Sequence, residues 1–284
     1  DMDFRSPDSV VEALKKAVDH GIFGYSRADE SYFDAVVAWY QKRHHLTLQP
    51  EWMTCTPGIV FALSIAVRAF TQEGDAVLIQ PPVYHPFARQ TRFNNRVVVN
   101  NPLSQRADGS FGIDFDDLDR KLAGAKVFLM SNPHNPSGRV YTAEELTRIG
   151  ELCVKHDVVI LSDEIHGDLV YKPHKHIHIA ALDEAFARRT VTFTAPSKTF
   201  NLAGLSTSVA ITPDAALRRR LQQEFNKLHA DQGNIFGTVA LEAAYTHGDE
   251  WLERLLEYLE GNIRYVTDFL HRKMPSVKCV PPEG

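Results

Sequence analysis

The chain has 284 residues, of which 44% are hydrophobic, so it can bury one large core. Its net charge is −5, with acids and bases interspersed, which argues against nucleic acid as a partner. The three cysteines, Cys55, Cys153 and Cys279, are odd in number and lie in or beside apolar segments, so we expect reduced core thiols and a cytoplasmic location. No segment approaches the ~20 consecutive apolar residues of a membrane span, which argues against a membrane partner.

Helical and strand patterns alternate along most of the chain. Ser6 and Pro7 predict the start of a first helix, with Pro7 at its first position, and Gly21 predicts its end. A second helix is predicted over 29–45, and a third, almost entirely apolar, follows Gly58. Short apolar runs predict buried strands at 76–79, 96–99, 126–130, 157–161, 190–194 and 208–212.

This alternation predicts an α/β fold, with a mostly parallel sheet sandwiched by helices. From about Pro213 the strand patterns largely stop, and a last strand is predicted to begin only at 277–280. A smaller α/β domain is therefore expected to be only partly present. The helices predicted in this last part cover 213–229, 235–247 and 249–272.

Several polar side chains follow the ends of the predicted strands, which is where ligands collect in open α/β sheets. In the run TFTAPSKTFNLAG a single lysine stands alone after a buried strand. The candidates are Lys198 after 190–194, Asp163 and His166 after 157–161, Asn135 after 126–130, Tyr84 after 76–79, and Gly58 at the start of a helix.

Each candidate has a simpler explanation when it is taken alone. Asp163 can cap the turn that follows it, Asn135 between prolines is a typical loop residue, and His166 and Tyr84 can be ordinary packing. Lys198 is the hardest to dismiss, because burying an ammonium group without a partner costs several kcal/mol. Their conjunction is more informative than any single member.

Together these groups suit an aromatic aldehyde that carries a phosphate. A lysine amine in an apolar setting attacks aldehydes to form a Schiff base, and a carboxylate beside a pyridinium nitrogen keeps a pyridoxal ring protonated. The helix start at Gly58, with the amides of Ile59 and Val60, suits a phosphate dianion. The Tyr84 ring can stack on the pyridoxal ring, and the Asn135 amide can donate to its phenolic oxygen. The set predicts a pyridoxal 5'-phosphate site.

Motifs for other cofactors are absent or incomplete. There is no G-x-G-x-x-G after a strand, no G-x-x-x-x-G-K-[ST] and no G-x-S-x-G. At strand spacing, His174, His176 and His178 would share one face. No cysteine or carboxylate in that run completes a ligand set, so metal binding is disfavoured.

Three motifs, NPSG at 135–138, DEIH at 163–166 and SKTFN at 197–201, resemble the ordered signature of fold-type I pyridoxal-phosphate enzymes, the aminotransferase superfamily. The longer runs SNPHNPSGRV and APSKTFNLAGLSTS resemble the MalY/PatB-type cystathionine β-lyases, or C–S lyases. The resemblance covers essentially the whole chain and implies β-elimination on cysteine S-conjugates, giving a thiol such as homocysteine, pyruvate and ammonia. An aminotransferase and a regulatory protein that binds pyridoxal phosphate remain alternatives.

The resemblance also implies roles for individual residues. Lys198 would hold the cofactor through a Schiff base and move the Cα proton, and Asp163 would pair with the pyridine nitrogen. Tyr25 would reach across the interface of a homodimer to the phosphate of the neighbouring site. The implied catalytic residues are Lys198, Asp163 and Tyr84, and the implied cofactor-binding residues are Lys198, Asp163, Asn135, His166, Tyr84, Gly58, Ile59, Val60, Ser197 and Tyr25.

The resemblance divides the chain into an N-terminal interface segment (1–25), a pyridoxal-phosphate-binding large domain (26–250), and a linking helix with the start of the small domain (251–284). The arginine that would bind the substrate carboxylate is expected beyond Gly284.

Two residues depart from the pattern of many aminotransferases, which carry a serine and a basic residue for the phosphate where this chain has Ala195 and Ser206. We expect Thr194, Ser197 or Tyr25 to compensate. This departure favours the lyase subgroup.

Overall fold

The computed structural model describes residues 2–284, so Asp1, which opens the predicted segment 1–25, lies outside the described residues. A seven-stranded, mostly parallel sheet forms the centre of the structure, as the alternation of elements predicts, and a two-stranded hairpin lies apart from it. The strands are β1 (Met53–Thr56), β2 (Ala76–Ile79), β3 (Val97–Asn100), β4 (Ser104–Gln105), β5 (Phe111–Gly112), β6 (Ala125–Ser131), β7 (Val159–Asp163), β8 (Thr190–Thr194) and β9 (Ser208–Ile211).

The strand order of the large sheet is β1-β9-β8-β7-β6-β2-β3. Strands β3, β2, β6, β7 and β8 are parallel neighbours, whereas β9 is antiparallel to both β8 and β1. Because β9 is reversed, β1 points the same way as β8. The carboxyl ends of β1, β2, β6, β7 and β8 therefore share one edge of the sheet with the amino end of β9.

The inner strands of the sheet are buried along most of their length because helices cover both faces of the sheet. In β6, Val127 and Leu129 pack into one core, and Phe128 and Met130 pack into a second core on the opposite face. In sequence such a strand is a continuous apolar run rather than an alternating one.

The helices form two layers. On one face α3, α4 and α9 pack on the sheet, and on the other α5, α6 and α7 cover one half while α1, α2 and α10 cover the half with β1 and β9. Among the described residues the helices are α1 (Asp8–His20), α2 (Glu30–His44), α3 (Ile59–Phe70), α4 (Pro86–Phe93), α5 (Phe115–Leu122), α6 (Ala143–Lys155), α7 (Glu184–Ala187), α8 (Pro196–Thr199), α9 (Ala215–Lys227), α10 (Ile235–His247) and α11 (Asp249–Lys273).

Two details of the predicted elements are wrong. Residues 277–280, predicted to begin a strand, have no regular structure. Helix α1 begins at Asp8, so Pro7 lies just before the helix instead of at its first position. Ser6 does not cap this helix, because its hydroxyl donates to the carbonyl of Asn201 at 3.2 Å. A long-range bond thus replaces the local one.

All three cysteines are free thiols, but only Cys55 and Cys153 are buried. The expectation of a core thiol is wrong for Cys279, which is exposed in a segment without regular structure. Within residues 2–284, no helix combines the length and the apolar character that crossing a membrane requires.

Candidate active site

A cavity of about 370 Å³ opens at the edge of the sheet where the parallel strands end. It is bounded by the segments that follow β1, β2, β6, β7 and β8, as the rule for strand ends predicts. Nine of the ten predicted cofactor-binding residues line it, namely Gly58, Ile59, Val60, Tyr84, Asn135, Asp163, His166, Ser197 and Lys198.

A larger cavity of about 600 Å³ lies at the opposite edge, at the amino ends of the strands. Its walls include Asp75, Lys126, Asp157 and Arg189, and the last two form an ion pair with each other. Ligands of parallel sheets bind beyond the carboxyl ends of the strands. The chemistry therefore belongs to the smaller cavity.

Lys198 lies on the short helix α8, which begins two residues after β8 ends. Its side chain is half-buried and forms part of the cavity wall. The lone lysine is thus not enclosed in the core, and its amine can be reached from the cavity. The position suits a nucleophile toward a carbonyl group bound there.

Asp163 is the last residue of β7 and is only 6% exposed. Burial, together with the neighbouring Glu164, raises the pKa of Asp163 to about 7, although the backbone N–H of Ile165 and the charge of Lys198 act in the opposite direction. That N–H donates to Asp163 Oδ1 at 3.3 Å. A cation beside the buried carboxyl group of Asp163 would stabilise its charged form.

His166 is half-buried three residues after Asp163. Burial and, to a lesser extent, the positive charge of Lys198 lower the pKa of His166 to about 4. The imidazole is therefore neutral at pH 7 and can donate or accept a hydrogen bond without adding charge to the cavity.

The turns that carry Tyr84 and Asn135 are joined by a backbone hydrogen bond. The N–H of Tyr84 donates to the carbonyl of Asn135 at 3.1 Å, and the N–H of Asn135 donates to Ser131 Oγ at 3.2 Å. The Tyr84 ring packs edge-on against Phe87, with ring centroids 6.0 Å apart. These contacts hold an aromatic face and an amide group at neighbouring points of the cavity wall.

The start of helix α3 points its free backbone amides at the cavity. Gly58 precedes the helix with φ 142° and ψ 149°, a conformation that essentially only glycine adopts. The N–H of Ala62 donates to the Gly58 carbonyl at 3.0 Å, so the N–H groups before it, those of Ile59 and Val60 included, have no partner within the helix. Free amides and the helix dipole favour an anion here.

These features fit pyridoxal phosphate. The buried carboxyl group of Asp163 suits a pyridinium N–H, the amine of Lys198 suits an aldehyde, and the amides of α3 suit a phosphate. All three border one cavity.

Eight further residues line the cavity wall. Two of them, Ser206 and Thr207, precede β9, whose amino end lies at this edge because the strand is reversed. Ser206 was expected here only from the family resemblance, and the rule for strand ends does not predict Thr207, because it precedes a strand. The eight are Pro57, Phe61, Ser131, Ile165, Ala195, Ala203, Ser206 and Thr207.

The N-terminal segment lies beside the active-site helix. Asn201 Nδ2 donates to the carbonyls of Met2 at 2.9 Å and Phe4 at 2.8 Å, three residues after Lys198. The N-terminal segment and the segment after Lys198 are almost 200 residues apart in sequence. Sequence reasoning did not predict that they meet beside the site.

Two of the residues expected near the phosphate do not line the cavity. Tyr25 is fully exposed in the segment between α1 and α2, and Thr194 is buried in β8. Ser197 does line the cavity, beside Ala195. Of the three residues expected to compensate for the missing phosphate contacts, Ser197 is thus the one that lines the cavity within a single chain.

Comparison with known proteins agrees with this geometry. The family model for aminotransferase class I and II matches residues 1–284. The chain is 46% identical to cystathionine beta-lyase PatB of Bacillus subtilis, over all of this chain and 74% of that protein. It is 30% identical to protein MalY of Escherichia coli, over all of this chain and 73% of that protein.

Solved structures with this fold hold the expected cofactor. A PLP-bound putative aminotransferase from Clostridium difficile superposes with a TM-score of 0.98 at 39% identity, over all of this chain and 73% of that one. Cystalysin from Treponema denticola, which contains pyridoxal 5'-phosphate, superposes with a TM-score of 0.96 at 35% identity, over all of this chain and 72% of that one. With the sequence match over its whole length and the fold in agreement, the chain belongs to the aminotransferase class I and II family.

Proposed function

We propose that this protein is a pyridoxal-phosphate-dependent carbon–sulfur lyase, which acts on cysteine S-conjugates such as L-cystathionine and releases a thiol, pyruvate and ammonia. The observation that carries the proposal is that Lys198, Asp163 and the start of α3 border one cavity. The choice of reaction is supported by the 46% identity to a cystathionine beta-lyase. A PLP-bound C–S lyase from Staphylococcus hominis also superposes with a TM-score of 0.94 at 34% identity.

Pyridoxal phosphate, when bound, supplies an aldehyde for the substrate amine and a ring that accepts electrons from the substrate carbon. In the proposed site the amine of Lys198 would hold this group covalently. As a free amine, Lys198 would remove the Cα proton of the substrate, a general-base step worth about 10²–10⁴-fold in rate.

Asp163 would pair with the ring nitrogen of the bound cofactor. Its carboxylate would accept a hydrogen bond from the pyridinium N–H, and the positive charge there would stabilise the ionised form that burial disfavours. The negative charge of the carboxylate would in turn stabilise the protonated ring.

The remaining groups orient the cofactor. Asn135 and His166 would bind the phenolic oxygen, and Tyr84 would stack on the ring. The phosphate would be bound by the first amides of α3 and the hydroxyl of Ser197. These residues supply little positive charge, which leaves the helix dipole as the main attraction for the phosphate among them.

The proposal includes a homodimer in the cytoplasm, with Tyr25 completing the neighbouring site. The segment 18–25 supports this arrangement, because Val18, Ile22, Phe23 and Tyr25 are all more than half exposed in the single chain. Exposed apolar side chains in one segment are typical of a protein–protein interface.

The proposal also keeps the division into a large domain over 26–250 and a linking helix that begins near 251. In support, Leu252 and Leu255 are the buried residues of α11, and its later aromatic side chains, such as Tyr265, are exposed.

An aminotransferase is the second candidate, because it uses the same residues. The similarity to the putative aminotransferase from C. difficile favours it. The chain is also 34% identical, over 78% of its length, to rat kynurenine–oxoglutarate transaminase 3. The two reactions differ in whether a leaving group departs from Cβ or the amino group passes to a keto acid.

One assay separates the candidates. The holoprotein is incubated with L-cystathionine, with and without 2-oxoglutarate, and pyruvate, free thiol and glutamate are measured. A lyase forms pyruvate and thiol in equal amounts without the keto acid, whereas a transferase turns over only when the keto acid is present and forms glutamate. Turnover no faster than that of free pyridoxal phosphate in both conditions would reject both functions.

A further inference from the structure

A second group of ionisable side chains is buried behind the active site, and the proposed reaction does not use it. The side chains of Glu164, His176 and His178 are 0%, 2% and 7% exposed. Glu164 Oε2 lies 2.9 Å from His176 Nε2 and also contacts His178 Nδ1. One nitrogen or oxygen from each residue lies within 4.8 Å of the other two.

This cluster overturns the sequence-based argument against a metal site. The missing carboxylate is supplied by the DEIH motif and not by the histidine-rich run itself. The run has no strand structure, and His174, expected to share a face with the other two, is exposed. Folding therefore selects two of the three histidines and adds Glu164.

We propose that Glu164, His176 and His178 bind one divalent cation of the zinc type. Two imidazole nitrogens and one carboxylate oxygen are a donor set that zinc takes in proteins, with a water molecule at the fourth tetrahedral position. The cation would be structural, because the cluster does not line the active-site cavity.

The carboxylate of Glu164 is oriented by a further hydrogen bond. Ser162 Oγ donates to Glu164 Oε1 at 2.7 Å, which leaves Oε2 directed at the imidazoles.

The outer nitrogens of the two imidazole rings are unpaired. In the metal-free cluster, His176 Nε2 and His178 Nδ1 are hydrogen-bonded to Glu164. Among residues 2–284, the outer nitrogens, His176 Nδ1 and His178 Nε2, are buried without a hydrogen-bond partner. Each ring can therefore carry its proton on the outer nitrogen and present the inner nitrogen to a cation.

A neighbouring histidine does not belong to the ligand set. The ring of His44 packs edge-on against His178, with centroids 4.8 Å apart. Its Nε2 lies 2.9 Å from Asp168 Oδ1, so this nitrogen is already engaged. The fourth position is therefore assigned to water.

A cation at this cluster would stabilise the active site indirectly. Glu164 directly follows Asp163, at the end of β7, whereas His176 and His178 lie in a separate segment. The cation would tie that segment to β7 and hold the carboxyl group of Asp163 at the cavity.

The first test is the metal content of the holoprotein. Untagged protein is expressed in zinc-supplemented medium, dialysed against a chelator and analysed by mass spectrometry of the metal. We expect about one zinc per chain in the wild type and in His174→Gln, an exposed histidine of the same run, and less than about a tenth of that in His178→Gln. Wild-type protein with no more zinc than His178→Gln, or a variant with as much as the wild type, would overturn the proposal.

The second test needs no variant, in case His178→Gln does not fold. Wild-type holoprotein is unfolded in chelator and refolded with either zinc or chelator, and its melting temperature is measured. A cation that binds only the folded chain raises the melting temperature with zinc concentration. Equal melting temperatures in both samples would show that hydrogen bonds alone hold the cluster. Neither readout depends on turnover, so failure here leaves the proposed lyase function untouched.

Discussion

Replacing Asp163 with asparagine tests the electrostatics of the site most directly. Burial moves the pKa of this carboxyl group from 3.8 to about 7 in the folded, cofactor-free protein. Between these values the folded chain holds a proton that the unfolded chain has released. Stability therefore falls as the pH rises through this window and levels off above about pH 7.

The size of the effect follows from the same two values. Each pKa unit corresponds to 1.36 kcal/mol, so the ionised carboxylate of Asp163 costs the cofactor-free fold about 4 kcal/mol. Asparagine has nearly the same shape and does not ionise. Cofactor-free Asp163→Asn should exceed the wild type in free energy of unfolding by up to about 4 kcal/mol at about pH 8, and by little at about pH 4.

The assay is equilibrium unfolding in urea of both cofactor-free proteins across this pH range. The other ionisable groups are present in both proteins, and the largest pH-dependent difference between them comes from Asp163. Asp168→Asn is the matched control, because Asp168 is also buried but hydrogen bonds, led by that of His44, outweigh burial and lower its pKa. That variant should be less stable than the wild type at about pH 8.

Two results would refute this reasoning. One is an Asp163→Asn protein that is no more stable than the wild type at high pH. The other is a stability difference that does not change with pH. With pyridoxal phosphate present the order should reverse, because the pyridinium stabilises only the carboxylate of the wild type.

The remaining predictions concern the residues that hold the cofactor. Lys198→Ala should lose the covalent link to pyridoxal phosphate, so that borohydride adds no cofactor mass to the protein, and its activity should fall at least about 10²-fold. Retained turnover would mean that another group is the base. Gly58→Ala should lose about 1–3 kcal/mol of stability from backbone strain and should release pyridoxal phosphate more readily on dialysis. The control Gly261→Ala, in α11, should lose neither stability nor cofactor. Tyr25→Phe should weaken cofactor retention if sedimentation shows a dimer; undiminished retention in a proven dimer would contradict the role given to Tyr25.

Much of the site could be predicted because it depends on a single topological rule. Parallel strands end at one edge of the sheet, so Lys198, Asp163 and Asn135 were expected to meet although they are far apart in the chain, and all three line one cavity. The α/β fold itself follows from the alternation of short apolar runs with helical spacing. Both inferences use only local patterns and a general rule of sheet geometry.

Features that depend on strand direction and long-range contacts could not be predicted. The reversal of β9 brings Thr207 into the cavity, and β9 pairs with β1 through residues such as Thr56 and Ser208, more than 150 positions apart. No local pattern encodes that register, because it depends on which distant strands become neighbours.

The sequence by itself determined the fold class, the order of the elements and the identity of the groups offered at the strand ends. The tertiary structure alone decided how deeply each group is buried and which distant side chains it meets, such as Glu164 between His176 and His178. The physical reason is that burial and charge pairing are properties of packed elements, and a pKa depends on all the neighbours that folding brings together.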